Sequence, residues 1–188
     1  MYPVSRSGPR LDLRELVDED VDAMLAVYGG PEATEHLSFE PRSREQVAEV
    51  VSRSIASATV SPRAEYQLAV IERNTAELIG SGRLATDPHQ QRGATMGFAL
   101  RPDTWGVGYG LETVRLLLGL GFGFGDLGLH RIWGARSPLN EASAKTMAAA
   151  GMVEEGTIRE HIFKAGRWRD SVVHAMLDRE WAVASRRA

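Results

Sequence analysis

Trp105-Gly106-Val107-Gly108-Tyr109-Gly110 separates an apolar strand-like run, Met96-Gly97-Phe98-Ala99-Leu100, from a helix-like run, Leu111 to Leu118. No other stretch constrains the fold as much. A glycine-punctuated turn from strand to helix leaves backbone N–H groups unpaired and unobstructed. The positive end of the helix dipole adds to them, so the turn is a natural cradle for phosphate. Alone the signal is weak, because the chain holds 19 glycines and a tight turn needing positive φ explains the same spacing.

The flanking periodicities give the loop its context. Arg10 to Glu15 alternates charged and apolar residues and predicts a half-exposed strand. Asp18 is expected to cap a helix carrying Val21, Met24, Leu25 and Tyr28 on one face, with Gly29-Gly30 ending it. Pro31 to Pro41 reads as irregular or briefly helical and carries Glu35, His36 and Glu40. Ser43 with Gln46 forms a capping box ahead of Val47, Val50, Val51 and Ile55 at helical spacing. The period then changes to two. Tyr66 to Glu72 and Leu78 to Leu84 predict a hairpin, and Thr95 to Leu100 the strand that enters the glycine loop.

After the loop, Leu118 to Phe124 alternates glycine with apolar residues and reads locally as a strand. A helix is preferred, because Thr113 to Leu118 propagates one and a parallel crossover needs it, although each interior glycine costs about 1 kcal/mol. His130 to Ala135 is the next strand, reached by a right-handed crossover. Asn140 caps a helix over Glu141 to Ala150, stopped by Gly151. Met152 to Phe163 and Val172 to Leu177 are late strands joined across Lys164-Ala165-Gly166-Arg167, with Gly166 to Asp170 read as the turn at the hairpin's end, and Asp178 to Arg187 is a helical tail. The hairpin tip is expected to be solvated, with Trp168 packed; a homodimer contact or a lip over the site is the alternative.

Bulk properties narrow the classes. A chain of 188 residues, 43% hydrophobic and 25% charged, fits one domain, 1–188, with a core over about 10–181. A net charge of −3 gives no pull toward nucleic acid. The absence of cysteine excludes disulfides, a thiol nucleophile and thiolate metal sites. No metal site and no membrane span are expected, and the default is a soluble cytoplasmic protein.

The motifs, in order, resemble the Gcn5-related N-acetyltransferase (GNAT) superfamily, and within it the RimJ/RimL-type branch of ribosomal-protein N-acetyltransferases. That family's acyl-CoA loop reads Q/R-x-x-G-x-G/A, and the branch often begins it with Trp, as at Trp105. Gly128-Leu129-His130-Arg131-Ile132 resembles the branch's G-L-H-R-I, Asn140-Glu141-Ala142-Ser143 its N-x-x-S, and Gly166 to Asp170 its G-R-W-R-D. The resemblance implies an α+β fold: a mostly antiparallel mixed sheet, helices on both faces, and one splayed parallel pair of strands ending at Leu100 and Ala135.

It further implies acetyl-CoA as co-substrate, lying in that splay. Pantetheine would pair with backbone at Phe98 and Leu100, as an added strand does. The pyrophosphate would sit on amides of Trp105, Gly106, Val107, Gly108, Tyr109 and Gly110. A strand N–H would hold the oxyanion of a tetrahedral intermediate formed by direct attack of a primary amine. Asn140 is fully explained as a helix cap, and the resemblance adds an amide contact to pantetheine or substrate.

Two positions depart from the family. A frequent glutamate base falls on Thr95, and a frequent tyrosine acid falls on Met147. Ser143, or a water it holds, is the substitute acid, although its bland reading is an exposed first-turn serine. A thiol leaving group of pKa about 8.5 needs little help. For the base, His36 and Glu160 are preferred over Glu35, Glu40, His161 and His174, because acceptor sites in this fold are built from early helices and late strands. For each, a solvated side chain or a satisfied structural histidine is the stronger reading than catalysis. A weak base favours a low-pKa amine, a peptide N-terminus or a small-molecule amine, over lysine. The main competitor is a catalytically weak or inactive CoA-binding sensor, motivated by Thr95 and Met147. A dinucleotide-dependent oxidoreductase would place its glycine loop near the first strand, and here it falls mid-chain.

Overall fold

In the computed structural model, which describes residues 2–123 and 127–185, eight strands join in one sheet. They are β1 (Ser5–Ser7), β2 (Leu11–Glu15), β3 (Glu65–Glu72), β4 (Leu78–Thr86), β5 (Gly93–Leu100), β6 (Arg131–Arg136), β7 (Val153–Lys164) and β8 (Arg167–Leu177). The order across the sheet is β1-β2-β3-β4-β5-β6-β8-β7. Every neighbouring pair is antiparallel except β5–β6. The last strand therefore inserts between its two predecessors.

The helices are α1 (Val21–Tyr28), α2 (Pro31–Thr34), α3 (Arg44–Ala58), α4 (Tyr109–Phe122), α5 (Glu141–Ala149) and α6 (Asp178–Ala184). Helices α1 and α3 cover one face, burying Met24, Val27, Val47 and Val51 on Ala69 and Ile71. Helix α4 covers the other, burying Val114, Leu117, Leu118 and Leu120 on Leu13, Leu68, Leu84 and Ile132. This two-sided burial explains why the central strands read as near-continuous apolar runs.

Local chemistry sets most boundaries. The capping box of α3 is formed in both directions: the Ser43 amide donates to Gln46 at 2.9 Å, and the Gln46 amide to the Ser43 hydroxyl at 3.3 Å. Asp18 does not cap α1; it begins a 3-10 turn that leads into the helix. The buried Asp20 anchors this corner instead, accepting from the Val17 amide at 2.9 Å and from both Arg14 terminal nitrogens at 2.7 and 2.8 Å. Val27, rather than Val21, completes the buried face of α1. Helix α4 continues through Gly119 and Gly121 because tertiary packing needs the glycine. A Cβ at Gly121 would lie 2.3 Å from Ile132 Cδ1. The strand reading fails over Leu118 to Phe122; its last residue, Phe124, lies outside the described residues, as does Arg187 of the expected tail.

The late hairpin is joined across Lys164 to Arg167 as expected, but its second strand begins earlier. Its turn is Ala165-Gly166, both with positive φ, and Arg167 to Asp170 belongs to β8 rather than to a turn. Trp168 is not packed: it meets Phe163 edge-on at 5.2 Å, and both rings are largely exposed. Strand β1 was not foreseen either; three residues leave too little pattern to read.

Candidate active site

The β5–β6 ladder lasts only from Gly93–Arg131 to Thr95–Trp133, and beyond it the two strands part. The direction of the freed backbone follows from the β4–β5 register. The Arg101 amide donates to the Ile79 carbonyl at 2.8 Å, so Arg101, Ala99 and Gly97 turn their polar groups toward β4. Phe98 and Leu100 must turn theirs the other way, into the gap. One acceptor there is already engaged: the Trp105 indole donates to the Leu100 carbonyl at 2.9 Å. The gap thus offers an N–H and a carbonyl from Phe98 and an N–H from Leu100.

The glycine loop faces the same opening. Gly106 and Gly108 have φ of 82° and 87°, a region open to glycine without penalty. Gly108 is the N-cap of α4. Among the described residues, the N–H groups of Gly106, Val107 and Gly108 donate to no carbonyl, and the first turn of α4 adds its own unpaired donors. Side chains brace the loop from behind. Arg10 donates to the Val107 carbonyl at 2.9 Å and to Glu112 at 3.0 Å, with its guanidinium 4.7 Å from the Tyr109 ring centre. Tyr109 in turn donates to Glu72. The buried Glu112 also accepts the amides of Arg10 and Leu11 at 2.7 and 2.9 Å.

From the gap a cavity of about 470 Å³ passes through the sheet. Asn140, Ser143 and Met147 of α5 line it on the α4 side; Val50, Arg53, Ser54 and Ser57 of α3 line it on the other. Gly97 lies at the seam, and a Cβ built there meets no atom within 4 Å. Its missing side chain keeps the passage open. Tyr28 donates or accepts with Ser81 at 2.5 Å on the cavity wall. Burial pushes the Tyr28 hydroxyl's pKa up, so it is a neutral hydrogen-bonding group rather than a base.

The far wall comes from chain segments distant in sequence. The buried Lys164 ammonium donates to the carbonyls of Thr34, Glu35 and Leu37 at 2.5, 3.2 and 3.2 Å. Arg169 donates to the Glu35 and Leu37 carbonyls at 3.2 and 2.9 Å, and Glu40 accepts the Ala165 amide at 2.8 Å. These contacts fasten the segment that follows α2 to the β7–β8 hairpin and hold His36 in the wall. Burial, then the neighbouring Arg169 charge, lowers the Lys164 pKa.

The expected site residues divide accordingly. Phe98, Asn140, Ser143 and His36 line the cavity, as do Thr95 and Met147. Leu100 and Trp105 to Gly110 form the rim described above. Asn140 caps α5, its carbonyl oxygen accepting the Ser143 amide at 2.9 Å, which leaves its NH₂ free for the cavity. Glu160 is not brought to the cavity. A register shift in β7 between Ile158 and Ile162 puts it at φ 50°, with its amide donating to Asp170 at 2.8 Å and its side chain exposed. The same bulge directs His161 inward, where it meets the Ser171 hydroxyl at 3.0 Å. His174 lies behind the site, taking a hydrogen bond from Arg136 at 3.1 Å; burial and then the Arg136 charge lower its pKa.

Sequence reading overlooked Glu65, Arg83, Trp133, Arg42 and Arg53, all cavity residues. The helical period could have placed Arg53 with Val50, Ser54 and Ser57. Nothing local marks the other four.

Among the described residues no group of acidic, histidine or cysteine side chains could hold a metal ion, and no helix is long and apolar enough to cross a membrane.

Comparison with known proteins accords with this geometry. The model of the acetyltransferase (GNAT) domain matches residues 10–153. The chain is 26% identical over 178 residues to the uncharacterized N-acetyltransferase YoaA of Bacillus subtilis (strain 168), covering 94% of this chain and 98% of that one. Spermidine N-acetyltransferase from Vibrio cholerae, solved in complex with CoA and spermine, superposes with a TM-score of 0.79 at 23% identity, over 93% of this chain and 99% of its own. Ribosomal-protein-S5-alanine acetyltransferase from Vibrio fischeri gives a TM-score of 0.75 at 21% identity, over 95% and 98%. At such identities the two structures speak for the fold alone. With a splayed parallel pair, a glycine loop at its mouth and a family model spanning most of its length, the chain belongs to the GNAT acetyltransferase domain family.

Proposed function

We propose that the protein transfers the acetyl group of acetyl-CoA to a primary amine bound neutral, at a peptide N-terminus or on a small molecule, within the RimJ/RimL-type branch. One observation carries this reading. The N–H groups of Phe98 and Leu100 and the Phe98 carbonyl face a gap whose mouth is the glycine loop and whose floor opens through Gly97 into the cavity.

Acetyl-CoA supplies an electrophilic thioester carbonyl and a thiol leaving group. The chain's residues do the rest. Backbone at Phe98 and Leu100 positions the pantetheine arm, and amides from Gly106 through the first turn of α4 take the pyrophosphate. The Phe98 N–H polarises the carbonyl oxygen. The Asn140 NH₂ steadies the arm, and the Ser143 hydroxyl, with no hydrogen-bond partner among the described residues, donates a hydrogen bond to the departing sulfur, directly or through a water it holds; the thiolate then takes its proton from solvent, as a thiol of pKa about 8.5 readily does. His36, in the acceptor wall, takes the amine proton, directly or through water. Glu160, outside the cavity, has no part in this reading.

Thermal unfolding with acetyl-CoA, CoA and NAD, followed by thiol release over a panel of amines, tests the reading. At about 100 times Kd either CoA species should add about 2.7 kcal/mol of stability, and NAD nothing. Free N-termini should outpace matched lysine side chains. Stabilisation by CoA with no turnover on any amine would instead favour a CoA sensor. No stabilisation by either CoA species would overturn both.

A further inference from the structure

The acceptor cavity carries a charge opposite to that of the chain. The protein has a net charge of −3, yet five arginines line the cavity against two carboxylates, Glu65 and Asp170. Two of these arginines are satisfied. Arg83 pairs with Glu65. Arg136 holds Glu154 at 3.2 Å, His174, and the carbonyls of Ser137 and Pro138.

The other three have unfilled donors. The Arg42 guanidinium stacks 4.0 Å from the Phe39 ring centre and 5.5 Å from that of Tyr28, and no carboxylate among the described residues is bonded to it. Stacking uses the flat face of a guanidinium and leaves its N–H edge free for a planar or tetrahedral anion. Arg53, on α3, has no hydrogen bond or ion pair among the described residues. Arg169 Nε is buried with no partner among the described residues, although its two terminal nitrogens are engaged. Glu40 and Glu49 stand in the shallow outer groove beside Arg42 and Arg53, but neither pairs with them within 4.0 Å. These donors cannot be assigned to the pyrophosphate of the donor, which the glycine loop would take on the opposite face of the sheet.

We propose that the amine acceptor is itself anionic, a primary amine that also bears a carboxylate or phosphate, and that Arg42 and Arg53, with Arg169 Nε, hold this group. The inference rests on the N-acetyltransferase reading of the same cavity. It adds a physical advantage to that reading: positive charge around a bound amine disfavours its ammonium form, so a weak base suffices.

Matched acceptors test it: an α-amino acid against its carboxamide, and O-phosphoethanolamine against ethanolamine, with spermidine as the polycation. We expect the anionic member of at least one pair to show kcat/KM higher by about tenfold or more, the effect of one charge-assisted bond, chiefly through KM. The pair that responds identifies the anion. Raised salt should shrink the preference, and Arg42→Gln and Arg53→Gln should collapse it. Equal rates within both pairs, faster turnover of spermidine, or a preference untouched by both substitutions would overturn the proposal while leaving N-acetylation standing. Calorimetric binding in the presence of CoA separates the two ideas. Anionic amines that bind but are never acetylated would uphold the arginine site and sink the transfer reading; anionic amines that neither bind nor react would sink the site.

Discussion

The two halves of the site are made of different material. On the proposed assignment, the donor half consists of main chain: the parted edge of β5, two glycines at positive φ and the first turn of α4. Its side chains, Arg10, Glu112 and Tyr109, act from behind to brace the backbone. The acceptor half consists of side chains from α1, α3, the segment after α2, and the β7–β8 hairpin. Main chain can be presented by many sequences as long as glycine falls where φ is positive. A wall of side chains changes with each substitution. The difference teaches that the donor is a property of the fold and the acceptor a property of this chain.

The seam between the halves gives the largest expected effect. Gly97→Val places a branched side chain in a passage where a Cβ now meets nothing. Acetyl transfer should fall by about 10²-fold or more through misplacement of the reacting groups. The melting temperature should hold or rise slightly, because glycine inside a strand costs about 0.5–1 kcal/mol. A variant that stays active would mean that the two halves meet elsewhere.

Next comes the acceptor wall. Lys164→Met removes the charged donor from three carbonyls, which among the described residues keep only the Leu37 amide at Thr34 and Arg169 at Glu35 and Leu37, and should cost about 2 kcal/mol by denaturant unfolding. At temperatures where the variant remains folded, KM for the amine should rise more than KM for acetyl-CoA. Equal rises would erase the distinction between the halves.

The donor half gives the smallest change. Asn140→Asp keeps an oxygen for the Ser143 amide and suits the positive end of α5, so stability should be unchanged or slightly higher. Only the NH₂ is lost, and KM for acetyl-CoA should rise about tenfold if that group contributes one hydrogen bond of about 1.4 kcal/mol. An unchanged KM would confine Asn140 to its capping role.

What could be read in advance follows the same division. Ser43 with Gln46, Asn140 with Ser143, and the strand–glycine–helix order are relations between residues a few positions apart, and each stands in the structure as expected. Errors arose where a distant partner decided. Asp20 rather than Asp18 anchors its corner because Arg14 reaches it from β2. The preferred helix after the loop does stand, and its Gly121 is explained by Ile132, which fills the space a Cβ would need. Glu160 turns away because Asp170, across the hairpin, holds its amide. Apart from Arg53, which the period of α3 could have placed, the arginine lining had no local sign, since Arg42 and Arg169 become neighbours of one cavity only when the hairpin docks.

That docking has a consequence in time. Lys164 bonds to Thr34 across 130 positions of chain, so the acceptor wall cannot take its final shape until nearly all of the chain has left the ribosome. At about 5–20 residues per second, that is a delay of roughly 6–26 s. The donor loop, tied to β2 and β3 by Arg10 and Tyr109, has its partners well before then. A nascent chain would hold a nucleotide-binding mouth before it had anywhere to seat an amine. Contacts absent from the folding transition state govern how fast a protein unfolds rather than how fast it folds, so a tie closed last should show itself as faster unfolding of Lys164→Met.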